Sequence, residues 1–204
     1  MPNDTVTTLS ELEALYAAPA ATSVAKEISR INEPYRQLID ASPFLTIATI
    51  GPSGMDCSPR GDGPGFVRIL DDKTLAIPDR RGNNRLDTIK NIISDSRVAL
   101  LFLIPGVNET LRVNGRAIIS VNPELLSSFR VSGKIPVSAI VVSIDTMYFQ
   151  CARALQRSQL WNAKQHATRD SLPSTGTLIK SAMSDFDAES YDAKLKERQA
   201  KTLY

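Results

Sequence analysis

Arginine and asparagine crowd the stretch "DRRGNNR" at residues 79–85, where Arg80, Arg81, Asn83, Asn84 and Arg85 stand beside a single acidic side chain, Asp79. A guanidinium is a planar fork of five donors that stays charged at physiological pH. Such a cluster, answered by too few carboxylates, points to an anion supplied from outside, with phosphate the first candidate. The stretch lies between a strand-like run and a helix-like run, so free backbone N–H groups at the helix start would add to the arginine donors. A solvated basic loop paired with Asp62, Asp71, Asp72 or Asp87 accounts for the same residues.

Two more segments carry similar chemistry. In "SPRGDGPGF", residues 58–66, Ser58, Arg60 and Asp62 sit among glycines and prolines. Those glycines permit close backbone approach to a ligand, and an ordinary loop with an Arg60–Asp62 contact is the alternative. In "CARALQRSQLW", residues 151–161, Arg153, Arg157, Ser158 and the sole tryptophan, Trp161, fall within about two turns of helix. Trp161 reads either as core or as a flat apolar wall beside polar donors. Three arginine-bearing segments, each beside a strand end, favour a phosphorylated aromatic ligand over free inorganic phosphate.

Composition narrows the classes. The chain has 204 residues, 42% hydrophobic and 23% charged, which fits one domain with a real core. A net charge of +2 is too balanced for a surface that tracks nucleic acid, so the anion should be small. Cys57 and Cys151 form neither a C-x-x-C pair nor a disulfide framework. No apolar run approaches the roughly 20 residues that span a bilayer, and "MPNDTVTTLSELEALY" lacks the basic start and apolar stretch of a signal peptide. A reduced, cytoplasmic chain with no membrane partner is expected. His166 is the only histidine and stands in a polar stretch, which excludes poly-histidine metal sites and suits a solvated surface residue. Chemistry here would be carried by a cofactor.

The elements that must position these residues are mostly strands. "TLSELEALYAAP" predicts a short helix capped by Thr8 or Ser10 and closed by Pro19, and Ser23–Ile39 predicts one helix or two shorter ones broken near Pro34. From Phe44 the pattern becomes β: "FLTIATI", a "GPSG" turn, a run from Met55, then a "FVRIL"–"DDK"–"TLAIP" hairpin. "NNRLDTIKNIISDS" places Leu86, Ile89, Ile92 and Ile93 at helical spacing behind an Asn83 or Asn84 cap. "RVALLFLI", a "TLRVNGRAIISV" strand interrupted at Asn114-Gly115, a short helix ending near Gly133 and "SAIVVSIDTMYFQC" follow. Antiparallel order without βαβ alternation or G-x-G-x-x-G disfavours a Rossmann sheet and favours a closed or partly closed barrel decorated by helices. The charged tail from Ser184 reads as a helix that packs on a partner subunit or stays solvated.

Together, "SPRGDGPGFVRILDDKTLAIPDRRGNNRLDTIKNI", "RVALLFLIPG", "TLRVNGRA" and "CARALQRSQLW" resemble the pyridoxamine 5′-phosphate oxidase-like family of FMN-binding split barrels, in particular its bacterial branch with GNNR and RS-L-W motifs. The resemblance covers about residues 25–165. It implies a mainly β fold, a six-stranded antiparallel split β-barrel with peripheral helices, as a single domain: N-terminal helices over 1–40, a barrel core over 44–161 and a helical tail over 175–204. It also implies a homodimer with one FMN at each of two sites along the subunit interface.

Carried over by motif, Ser58, Pro59, Arg60, Gly61 and Asp62 would face the flavin ring and ribityl chain, with the backbone of Ile77, Pro78 and Asp79 near the cofactor. Arg80, Arg81, Asn83, Asn84 and Arg85 would cradle the FMN phosphate. Thr110, Leu111 and Arg112 match the strand that crosses the ring, and Arg157, Ser158 and Trp161 match late contacts, some given across the dimer. The sequence departs from true oxidases at Glu109 and in lacking their C-terminal arginine-x-histidine pair, which argues against oxidation of pyridoxamine phosphate. The expected activity is an FMN oxidoreductase passing electrons from a reduced donor to oxygen or another small acceptor. A non-catalytic flavin carrier or sensor, or a barrel binding haem or another cofactor, are the alternatives.

Overall fold

A computed structural model describes residues 4–204. Its framework is one antiparallel sheet of seven strands: β1 (Phe44–Gly51), β2 (Gly54–Gly61), β3 (Arg68–Asp71), β4 (Thr74–Asp79), β5 (Arg97–Leu103), β6 (Thr110–Ser120) and β7 (Ser138–Gln150). They lie in the order β2-β1-β5-β6-β7-β4-β3. The six strands of the expectation become seven because β3, only four residues long, pairs with β4 alone at one edge. β-branched and apolar residues alternate along β1 and β5, so one face of each is buried while the other is half-exposed.

The inward residues meet in one core. Leu45, Ile47, Leu75, Ile77, Leu100, Phe102, Leu111, Val113, Ile140, Val142 and Met147 are buried there, each from a different point around the sheet. Gathering the inward faces of β1, β4, β5, β6 and β7 into a single core requires the sheet to coil on itself. The coil does not close by hydrogen bonds: β2 and the end of β4 face each other across a gap. The fold is a split β-barrel.

Two details explain how the barrel bends. The interruption expected at Asn114-Gly115 is a register shift in the β6–β7 ladder, not a break. Gly115 is required there, because a Cβ would drive into the Ser143 carbonyl. At the β1–β2 hairpin, Gly54 takes a φ of 111°, the left-handed geometry that its turn demands.

Helices close the periphery. α1 (Leu9–Leu15) begins with a capping box between Thr8 and Glu11 and ends before Tyr16, short of Pro19. The Ser23–Ile39 stretch divides into α2 (Ala21–Ala25) and α3 (Glu33–Ala41), with Pro34 opening the second where its missing N–H is harmless. α4 (Asp87–Ser94) packs on β1, β2 and β6, burying Thr88 and Ile92. α5 (Pro123–Ser128) is capped by Asn122 and ends at Phe129, well before Gly133, which instead shapes the following turn. α6 (Arg153–Ser158), α7 (Thr175–Ala182) and α8 (Ala188–Thr202) complete the chain. Among the described residues, no helix is long and apolar enough to cross a membrane.

Candidate functional site

The gap in the barrel is a cleft of about 1140 Å³. Its walls are β2 from Asp56 to Gly61, the end of β4 at Pro78 and Asp79, the loop 80–86, the start of α4, residues 134–137 and Ser138 at the start of β7. Ser58, Arg60, Arg80, Arg81, Asn83, Asn84 and Arg85 all line it, and Asp62 stands at its edge through Arg80 and Tyr204. Two of the three arginine-bearing segments therefore converge, because the chain brings the exits of β2 and β4 to opposite sides of one split.

Their arginines are not equivalent. Arg80 donates from Nε to Asp62 at 2.7 Å and from Nη1 to the Phe129 carbonyl at 2.8 Å, with side-chain exposures of only 17% for Arg80 and 7% for Asp62. This is a clamp across the split, tying the exits of β2 and β4 and the end of α5. Burial works against the Asp62 carboxylate, but hydrogen bonds from Tyr204, the Gly63 N–H and Arg80 outweigh it and hold its pKa below the ordinary value. The expected Arg60–Asp62 contact is absent among the described hydrogen bonds, since Asp62 is committed to Arg80. Arg85 is paired with Asp87 at 2.8 Å, an exposed contact of little strength.

Arg60 and Arg81, by contrast, have no carboxylate within ion-pair distance among the described residues, whereas the Lys134 ammonium donates to the main-chain oxygen of Tyr204 at 3.0 Å. Arg60 donates from Nη1 to the Pro59 carbonyl, while its buried Nε has no partner. An orphaned donor of this kind costs free energy unless a ligand answers it. Burial raises the pKa of Asp79, with Arg60 opposing the shift. Asp56 accepts from Ser58 at 3.0 Å and sits within 3.4 Å of the Thr88 hydroxyl. The cleft thus offers uncompensated positive charge, backbone and amide donors of the 80–86 loop, and an apolar side from Phe66, Ile89, Ile119 and Ile135.

The loop achieves this through strained backbone rather than a helix cap. Asn84 and Leu86 adopt φ of 59° and 61°, Leu86 is the N-cap of α4 with no side-chain cap, and Asn83 accepts from the Arg85 N–H at 3.1 Å. The expected asparagine cap is corrected accordingly: Asn83 folds its own loop. Lys134 and Tyr204 were missed in the sequence. Lys134 follows Gly133 just before a strand, a weak signal, and Tyr204 gave none.

The remaining candidates lie elsewhere on the same chain. Arg112 reaches the Tyr148 hydroxyl at 3.0 Å on the β6–β7 surface. Trp161 is half-buried and donates to the Val107 carbonyl at 2.8 Å, and Ser158 donates to the Leu155 carbonyl at the end of α6. Arg157 is exposed on that helix. None of the four lines the cleft.

A family model described as pyridoxamine 5′-phosphate oxidase matches residues 31–151, which span β1 to β7 and both walls of the cleft. The chain belongs to the pyridoxamine 5′-phosphate oxidase family. Its family membership covers the barrel and leaves the tail helices outside the match. No curated protein matches the chain. Among solved structures, it is similar to HupZ of Group A Streptococcus, at 17% identity and a TM-score of 0.48 over 58% of this chain and 93% of that one. It is similar to general stress protein 26 of Bacillus anthracis, at 17% identity and a TM-score of 0.44 over 56% of this chain and 88% of that one. An F420 reductase aligns at 17% identity and a TM-score of 0.41 over 59% of this chain and 98% of that one.

Proposed function

We propose that the cleft binds FMN and that the protein is a flavin oxidoreductase, moving electrons between a reduced donor and oxygen or another small acceptor. The observation that carries this reading is the convergence of Arg60 and Arg81, neither with an internal carboxylate, in a cleft large enough for a nucleotide-sized cofactor. The residues fit such a group. Arg81, Arg85 and the amides of the 80–86 loop suit a phosphate, and the orphaned Nε of Arg60 suits an acceptor atom of the same ligand. When bound, a flavin supplies the hydride and electron chemistry that this chain's side chains lack. The protein would bind it, orient it and bias its charge, with Arg60 favouring an anionic reduced ring.

A homodimer completes the reading. Ile118 near the end of β6, Val121 just after it and Val137 just before β7 are 65%, 69% and 85% exposed at one end of the β6–β7 ladder. Apolar exposure clustered at one end of the ladder supports a subunit interface there. Arg112, Arg157, Ser158 and Trp161, which do not reach their own chain's cleft, would then be available to the partner's.

An absorbance spectrum of the protein purified without added cofactor, followed by FMN titration under air and a reduced nicotinamide under nitrogen, tests the reading. Flavin bands that bleach with the donor and return with air are expected. A colourless protein that refuses added FMN would overturn it, and FMN bound without any bleaching would leave a carrier.

A further inference from the structure

The tail helices outside the family match form a unit of their own. Gly176 lies so close to α8 that a Cβ would stand 2.5 Å from the Ala188 carbonyl, and its N–H donates to Asp192 at 2.8 Å. Phe186 and Tyr191 meet edge to face at 5.1 Å, and Arg198 stacks over Tyr191 at 4.1 Å. α8 has no buried residue.

Between residues 175–204 and the barrel, two hydrogen bonds are present among the described residues, and both involve Tyr204. Its hydroxyl donates to Asp62 at 2.7 Å, and its main-chain carboxylate oxygen accepts from the Lys134 ammonium at 3.0 Å. Its ring lies 5.5 Å from the Arg80 guanidinium, and the side chain forms part of the cleft wall. The hairpin α7–α8 is therefore held together by its own contacts and joined to the barrel at the cleft. It can lift away without exposing the core or breaking the Asp62–Arg80 clamp.

We propose that α7–α8 is a strap across the cleft, and that Tyr204 is a positioning residue that closes it over a bound ligand and sets the rates of ligand entry and exit. The inference rests on the reading of the cleft as a site for a phosphorylated aromatic ligand. Tyr204 engages both sides of the split, through Asp62 at the exit of β2 and Lys134 before β7. Docked, it presents an aromatic wall beside the uncompensated cations. Released, it frees the Lys134 ammonium and opens that side of the cleft. The docked and released strap are two discrete arrangements of a packed unit, which is the requirement for gating.

Full-length wild type, Tyr204→Phe and Tyr204→Ala proteins test this in two measurements. Hydrogen exchange, with no ligand present, should show amides of 188–202 exchanging faster in Tyr204→Ala while residues 44–150 keep their protection. Stopped-flow mixing with FMN should show association and dissociation each faster by about fivefold or more in Tyr204→Ala, with Kd changing less than either rate. Tyr204→Phe, which keeps the ring over Arg80, should fall between. A merely structural role would not move both rates in the same direction. Unchanged tail exchange in Tyr204→Ala, or unchanged rates, would overturn the strap. FMN binding to Tyr204→Ala but not to wild type would overturn the positioning role and make Tyr204 a block. If neither protein binds FMN, the cofactor reading fails and the gating role with it, whatever the exchange data show for docking.

Discussion

The two groups of arginines in this chain have the same chemistry and opposite surroundings. Around the split, Arg60, Arg80, Arg81 and Arg85 share one cleft with Lys134. On the β6–β7 surface and α6, Arg112 and Arg157 stand apart, one against a tyrosine hydroxyl and the other in solvent. Within the cleft a second division appears, between Arg80, whose charge is answered by buried Asp62, and Arg81 and Arg60, whose charges are not. The lesson is that an arginine's role follows from what neutralises it. A buried guanidinium answered by a buried carboxylate, as Arg80 is by Asp62, is a structural tie, and a guanidinium left unanswered, as Arg81 is, is a site for an external anion.

The largest effect should come from breaking the tie. Arg80→Ala removes the cation paired with the Asp62 carboxylate, 7% exposed, leaving it only Tyr204 and the Gly63 N–H, and should cost about 3 kcal/mol of stability in urea denaturation. The matching change outside the cleft, Arg112→Ala, should cost about 1 kcal/mol. Comparable losses would erase the distinction between the two regions.

Next in size is ligand affinity. Arg81→Ala should weaken FMN binding by tenfold or more, on the order of 1.5–3 kcal/mol, with the fold intact. Arg85→Ala should cost less, because Asp87 already offsets its charge. Isothermal titration of both variants checks the ranking, and unchanged affinity in both would rule out the loop as a phosphate site.

The carboxylates of the cleft titrate in opposite senses. Asp62 has a folded pKa below its unfolded value of 3.8, so its contribution to stability is present above that value and is lost as pH falls through the folded pKa. Asp79 has a folded pKa above 3.8, so the folded state binds the proton more tightly and stability declines as pH rises from 3.8 through the raised value. Asp79→Asn should therefore be more stable than wild type at neutral pH, with the difference vanishing in acid. Denaturation midpoints against pH measure this, and a wild-type advantage at neutral pH would contradict it.

The smallest effect sharpens the comparison from the other side. Arg157→Ala should leave stability within about 0.5 kcal/mol, as exposed substitutions do, yet weaken FMN binding several-fold if α6 serves a partner's cleft. Sedimentation and titration of the same sample report both quantities, and unchanged affinity in a dimeric variant would remove Arg157 from the site.

Much of the barrel could be read from residue order. Alternation in "FLTIATI", the "GPSG" turn and the apolar run "RVALLFLI" become β1, its hairpin and β5, because period-two burial and turn residues are local signals. The Asp62 and Asp87 partners proposed for the basic loop are the ones found, since both carboxylates belong to the segments that border the split. What could not be read depends on tertiary placement. The α4 cap failed because Asn83 folds back on its own loop, and a non-glycine left-handed Leu86 has no local signature. Lys134 and Tyr204 reach the cleft from residues 134–138 and from the distant tail, and nothing in their neighbours' spacing encodes that convergence.

The central claim is that uncompensated cations in the split hold a flavin phosphate. Titrating wild type and Arg81→Ala with FMN and with riboflavin, which differ by that phosphate, isolates the contact in a single cycle. The account predicts that wild type binds FMN at least about tenfold more tightly than riboflavin and that Arg81→Ala loses most of the preference. Equal affinity for the two flavins in wild type, or a preference untouched by Arg81→Ala, would contradict it.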